Sequence, residues 1–104
     1  MKKLGYVYRS VTTSGNAASF NTRYLHGDLV AVHVKPATDT TTWRLSLVGV
    51  NSLSVWDSKD IETGEVNAIL WSLTAVNEVL TVNLSNTSID EAFEIEIRVR
   101  EYQI

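Results

Sequence analysis

The last part of the chain alternates apolar and charged side chains with a period of two. Residues 93–100 place apolar side chains at the odd positions, and Glu94, Glu96, Arg98 and Arg100 at the even positions. Successive side chains of a strand point to opposite faces, so this pattern predicts a strand with one face in the core and one in water. A slip of one residue would bury four charges, so the register is strongly specified.

Several other segments also have strand character. Residues 80–84 alternate in the same way, and Trp43, Leu45 and Leu47 alternate with polar residues. Residues 29–34 are apolar on both faces, with Val30, Val32 and Val34 on one and Leu29, Ala31 and His33 on the other, which predicts a central strand that ends at Lys35-Pro36. Residues 66–73 fit helix or strand by pattern alone, and we interpret them as strand.

Roughly six to eight short strands separated by turns are typical of antiparallel sandwiches. We therefore predict an all-β fold, a single antiparallel β-sandwich of jelly-roll or immunoglobulin-like type, over residues 1–104. Residues 5–13 offer a first strand, whereas the polar stretch after it has a weak strand signal. This suggests that residues 1–24 form an N-terminal arm, either flexible or ordered only on a partner.

Composition excludes several classes of protein. The chain has 44% apolar and 20% charged residues, which indicates a globular domain, and it has no cysteine, which excludes a disulfide framework or a thiolate metal site. The net charge of −3 includes no basic run, so we expect no nucleic-acid partner. We expect no membrane partner either, and because no apolar signal segment follows Lys2-Lys3, we expect synthesis in the cytoplasm.

Catalytic machinery is not recognisable in the sequence. His26 and His33 are too few for a conventional histidine metal centre, and no nucleophile, phosphate-loop or zinc-protease motif occurs. We predict a protein that is not an enzyme and needs no cofactor. Two acidic segments leave alternatives open. Asp57, Asp60, Glu62 and Glu65 form either a solvated turn or a calcium loop, and residues 88–91 fit the start of a helical turn.

Three tryptophans and four tyrosines are many for this length. Trp43 and Trp71 lie in register with leucine or isoleucine, which favours a place in the core. Trp56, beside the acidic turn, is expected to be partly exposed, and Tyr6 and Tyr8 share one strand face. Exposed aromatic side chains mark protein interfaces or stack on sugar rings. The candidate partner-binding residues are Tyr6, Tyr8, Phe20, Tyr24 and Trp56.

Two segments of the chain resemble a known protein family. Residues 32–43 are a predicted strand followed by Lys-Pro and a Thr-rich turn, and residues 80–93 contain Thr-Val-Asn-Leu-Ser-Asn and Asp-Glu-Ala-Phe. Together they resemble the small capsid decoration, or cement, proteins of tailed bacteriophages. The second segment is also similar to the accessory jelly rolls of secreted bacterial peptidases, and the lack of a signal segment favours the phage family.

The phage resemblance implies a structural protein of the virion. Such a protein would bind the major capsid protein on the outer surface of the head and stabilise it, as a homo-oligomer with a trimer favoured. Residues 1–24 would then be the capsid-ordered arm, with Phe20 and Tyr24 as anchors. The alternative is a carbohydrate- or calcium-binding β-sandwich module.

Overall fold

The computed structural model describes residues 2–38, 40–61 and 66–102, and gives only the backbone of residues 2 and 66–74. These residues form strands and no helix, so the predicted all-β class is confirmed. The strands are β1 (Lys2–Thr12), β2 (Ala18–Pro36), β3 (Arg44–Val48), β4 (Ser54–Asp57), β5 (Val66–Ser85) and β6 (Ala92–Tyr102).

All strand pairs are antiparallel and form one sheet in the order β1-β6-β2-β5-β3-β4. The predicted C-terminal strand is β6, which pairs with β1 on one side and with the second half of β2 on the other. Residues 66–73 belong to β5, so their interpretation as strand is confirmed. Residues 62–65, which include two residues of the predicted acidic turn or calcium loop, lie outside the described residues.

The sheet bends strongly. β5 has 20 residues, and a straight strand of that length would extend about 66 Å. The Cα atoms span only 42 × 24 × 21 Å, so β5 and the 19-residue β2 must curve. In proteins, two sheet layers that pack face to face lie about 10 Å apart. The shortest extent of 21 Å therefore leaves room for this sheet to fold over itself. The jelly-roll or immunoglobulin-like sandwich stays a prediction, because hydrogen bonds join all the strands into one sheet.

Irregularities in β2 set which residues reach the core. Between Leu29 and Ala31 the register against β6 shifts by one, which leaves Val30 as an extra residue. Core-facing positions are odd before this bulge and even after it, so that Leu29 and Val32 are both fully buried. A regular strand would have placed these two side chains on opposite faces, as the sequence pattern suggests.

One core cluster joins the two halves of the sheet. The predicted core positions of β6 are at most 1% exposed, and Trp43 is fully buried, as predicted. Full burial of an aliphatic side chain, as at Ile95, Ile97 and Val99, contributes roughly 1.5–3 kcal/mol to the free energy of unfolding. The side chain of Trp71 lies outside those that the structure describes. The buried cluster contains Leu25, Leu29, Val32, Val34, Trp43, Leu45, Leu47, Val76, Leu80, Val82, Leu84, Phe93, Ile95, Ile97 and Val99.

Most of the described part of the segment for which we expected an arm lies in strands, and residues 13–17 connect them. β1 pairs with β6 without interruption from Lys2 opposite Tyr102 to Thr12 opposite Ala92, and residues 18–24 form the first part of β2. Ordering of this segment on a capsid stays a prediction.

Polar loops meet at one end of the sheet. The carboxylate of Asp90 accepts hydrogen bonds from the backbone N–H groups of Gly15 (3.1 Å) and Asn16 (2.7 Å). Ser88 Oγ accepts a bond from the N–H of Thr42 at 3.1 Å. Residues 88–91 therefore form a loop that is hydrogen-bonded to two other connections, β1–β2 and β2–β3, and their interpretation as the start of a helical turn is wrong.

Candidate protein-binding surfaces

One side of β1, β6 and the second half of β2 faces away from the core. Odd residues of β6 are buried, so its even residues point outward, and the strand register brings the outward residues of β1 and β2 beside them. We call this surface the tyrosine face. Its members are Leu4, Tyr6, Tyr8, His33, Lys35, Glu94, Glu96, Arg98 and Arg100.

The two tyrosines of this face stand at the edge of the sheet. Tyr6 is 51% and Tyr8 is 57% exposed, which is high for side chains of this size. In the register, Tyr8 lies opposite Glu96 and Tyr6 lies opposite Arg98. Each ring therefore has a charged neighbour of a different sign on the central strand β6.

Both tyrosines are held by contacts with charged side chains. The Tyr8 hydroxyl donates a hydrogen bond to Glu94 Oε1 at 2.8 Å, and this bond, followed by desolvation and the charges of Glu94 and Glu96, raises the pKa of Tyr8 above its ordinary value of 10.0. The Arg98 guanidinium lies 5.6 Å from the centre of the Tyr6 ring, within cation–π range. Arg98 Nε also donates to Glu96 Oε1 at 2.6 Å, a bond that raises the pKa of Arg98.

A polar hollow of about 270 Å³ lies on the tyrosine face. Its lining combines the phenol ring of a tyrosine with groups that donate or accept hydrogen bonds: Tyr8, His33, Lys35, Glu94 and Glu96. This chemistry suits recognition of a polar partner. Among the described residues, no three histidine, aspartate or glutamate side chains are grouped closely enough to hold a metal ion.

A second cleft of about 270 Å³ runs between β1 and the first part of β2. Tyr6 and Tyr8 line one side, and Phe20 lines the other. The Arg9 guanidinium lies 5.0 Å from the centre of the Phe20 ring, and Arg23 forms an ion pair with Glu101. The structure therefore brings three of the predicted partner-binding aromatics to one cleft, where Phe20 is half-buried beneath an arginine.

The other two predicted aromatics lie elsewhere. Tyr24 is 57% exposed, and its hydroxyl donates to Asn77 Oδ1. Trp56 is half-buried, pairs with Leu47 and packs against the core. Because β4 and β1 are at opposite ends of the strand order, Trp56 is not part of the tyrosine face.

A second exposed surface lies in the connection between β3 and β4. We call residues 49–53 the apolar turn, because Val50 is 70% and Leu53 is 71% exposed. Backbone bonds order it: Ser52 N–H donates to the Gly49 carbonyl and Gly49 N–H to that of Leu53, both at 3.0 Å. The Glu78 carboxylate accepts a bond from Val50 N–H at 2.7 Å, which anchors the turn to β5.

The acidic turn after β4 is engaged in internal contacts. Asp57 accepts two bonds from Arg44, and its pKa is lowered from 3.8 to about 2, chiefly by these bonds. Asp60 Oδ1 accepts a bond from Asn86 Nδ2 at 3.2 Å. Glu62 and Glu65, the other two residues of the proposed calcium loop, lie outside the described residues.

The sequence analysis did not predict a partner-binding role for Val50 and Leu53, nor for the charged residues of the tyrosine face. The order of two glutamates followed by two arginines on the outward side of β6 was a signal that could have identified the face. The apolar turn had a weaker signal, two large apolar residues between Gly49, Asn51 and Ser52.

No protein-family model matches this chain, and no curated protein matches it. Nothing in the described part of the chain forms a helix that is long and apolar enough to cross a membrane.

Proposed function

We propose that this chain is a non-enzymatic structural protein of a virion, which binds the outer surface of a bacteriophage capsid as a homo-oligomer and stabilises the head. Its place in the particle would be on the capsid surface, after synthesis in the host cytoplasm. The resemblance of residues 32–43 and 80–93 to decoration proteins supports this proposal.

One structural observation supports a role in a lattice. The tyrosine face and the apolar turn lie toward opposite ends of the strand order, at β1 and at the β3–β4 connection. A protein in a surface lattice needs separate contacts with the capsid and with its own neighbours, whereas a simple binding module needs one. The sheet and the Glu78 anchor hold both surfaces in fixed positions, which reduces the entropy lost on binding.

We assign the capsid contact to the apolar turn. Val50 and Leu53 are the two most exposed large apolar side chains in the described part of the chain, and docking them into the major capsid protein would bury both. Burial of apolar surface is the main favourable contribution to most protein association.

The test is co-sedimentation with purified undecorated heads. Binding should saturate at a stoichiometry set by the lattice, and Val50→Ser/Leu53→Ser should weaken it at least about tenfold, since each side chain contributes roughly 1.5–3 kcal/mol when fully buried. Ile89→Ser is the matched control, because Ile89 is an exposed apolar residue, 48% exposed, in a different loop. Wild-type protein that stays in the supernatant would contradict the capsid role, and equal binding by the turn variant would contradict the assignment of the turn.

The polar hollow favours a second function, recognition of a carbohydrate. A tyrosine ring beside carboxylate and ammonium groups can stack on a sugar ring and bond its hydroxyls, and Tyr8, Glu94 and Lys35 offer this combination. Glycan-array binding that Tyr8→Ala abolishes, with no binding to heads, would replace the capsid proposal.

A further inference from the structure

The order of the outward charges along β6 is unchanged when the direction of the strand is reversed and the sign of every charge is exchanged. Their order along the strand is Glu94, Glu96, Arg98, Arg100, with Ile97 at the centre. When two copies of such a strand face each other in opposite directions, each glutamate meets an arginine of the other copy. In the same direction, each charge would meet its own sign.

The neighbouring strand β1 continues this symmetry. Tyr8 lies in the row of Glu96, and Tyr6 lies in the row of Arg98, so the two tyrosines are equally far from the centre at Ile97. Reversal of the face therefore places Tyr8 of one copy against Tyr6 of the other. Four exposed rings would come together along β1, beside four pairs of opposite charges along β6.

We propose that the tyrosine face binds the tyrosine face of a second copy of this chain. The two copies are related by a two-fold axis that lies between the two faces, runs perpendicular to the strands and passes over Ile97 of β6. In this pair, Glu94 meets Arg100 and Glu96 meets Arg98 across the interface, each contact occurring twice. A two-fold interface requires a surface that is complementary to itself, and this charge order supplies it. Sheets that pack face to face are rotated by about 30°, which keeps the central rows in contact.

This interface differs from the trimer that the phage resemblance implies, and it does not depend on binding to a capsid. Glu94 and Arg100 are six positions apart, which is about 20 Å along the strand, and the three strands together are about 10 Å wide. The area is smaller than the roughly 800 Å² per partner of a standard interface. The pair should therefore form reversibly with protein concentration and weaken as salt screens the charges.

Sedimentation velocity over a range of protein concentrations tests the proposal with a charge exchange. Glu94→Arg and Arg100→Glu should each raise the dissociation constant at least about tenfold, because each places two like-charge contacts in the pair. The double variant E94R/R100E restores opposite charges and should return the dissociation constant to within about threefold of wild type. Within one chain these residues are about 20 Å apart and cannot contact each other, so such a rescue reports a contact between copies.

Two further measurements complete the test. Ser54→Arg adds one positive charge at an exposed residue of β4, outside the tyrosine face and the apolar turn, and should leave the pairing unchanged. Wild-type pairing should weaken between about 50 mM and 500 mM salt, a result that needs no variant. A monomer at all concentrations, a trimer, salt-independent pairing, or a double variant as weak as the single ones would each overturn the proposal. Head binding by a protein that stays monomeric would overturn this inference and the homo-oligomer of the proposed function, and would leave capsid binding itself intact.

Discussion

Arg44 and Asp57 form a bidentate ion pair between the adjacent strands β3 and β4. Arg44 Nε lies 3.1 Å from Asp57 Oδ1, and Nη2 lies 2.7 Å from Oδ2. Asp57 Oδ1 also accepts a bond from Lys59 N–H at 2.8 Å, in a turn where Lys59 has a φ of 60°. One carboxylate thus fastens the edge strand β4 and shapes the turn that follows it.

This pair predicts a loss of stability in acid. The pKa of Asp57 is lowered to about 2 in the folded protein, below its ordinary value of 3.8, so folding favours the ionised carboxylate. The contribution is present above about pH 5 and is lost as the pH falls toward 2, and after solvent screening we expect it to be about 1 kcal/mol. Urea unfolding at pH 7 and at pH 2.5 measures it. Asp57→Asn and Arg44→Gln should each reduce the difference between the two pH values, and an unchanged difference in both would contradict the account.

Tyr8 should titrate later than a free tyrosine. Its hydrogen bond to Glu94, followed by desolvation and the charges of Glu94 and Glu96, raises its pKa above 10.0. The ultraviolet titration of the wild type minus that of Tyr8→Phe isolates this one phenol. Glu94→Gln should lower the midpoint of that difference curve, because it removes the negative charge beside the phenolate. A midpoint that does not move would show that Glu94 does not set the pKa.

The same substitution at two isoleucines should lower the free energy of unfolding by different amounts, because one side chain is buried in the core and the other is exposed. Ile97→Ala should lower the free energy of unfolding by about 2–4 kcal/mol, because the fully buried Ile97 would leave a cavity at the centre of β6. Ile89→Ala makes the same chemical change at a side chain that is 48% exposed and should cost less than about 1 kcal/mol. Chemical denaturation of both variants gives the comparison, and similar losses would argue against the assignment of the core.

Two glycines should respond differently to the same substitution. A Cβ at Gly27 would lie 2.1 Å from the backbone oxygen of Arg100, where β2 and β6 begin to pair, so Gly27→Ala should destabilise the protein by about 1–3 kcal/mol or more. A Cβ at Gly5 meets the side chain of Glu101, which can rotate away. Thermal unfolding should therefore show a larger loss for Gly27→Ala than for Gly5→Ala, and the reverse order would be evidence against the close approach of β2 and β6.

The candidate surfaces were only partly predictable. Tyr6 and Tyr8 could be placed on one exposed face, because alternation along β1 is a local property of the chain. Their position beside Glu96 and Arg98 depends on which strand pairs with β1 and in which register. The apolar turn depends similarly on Glu78, which is 28 residues away from Val50 along the chain.

Local pattern was enough to predict strands over residues 29–34, 43–47, 80–84 and 93–100 and the buried side of β6, because a period of two fixes which side chains share a face wherever the strand is regular. Pairing with β5 and β6 makes β2 one long strand with bulges, and this pairing places Leu29 and Val32 on the same side. A bulge arises from pairing with a partner strand, and the hydrogen bonds that define it come from residues distant in the chain. For the same reason the sequence showed the charges of β6, while the fold decided which tyrosines stand beside them.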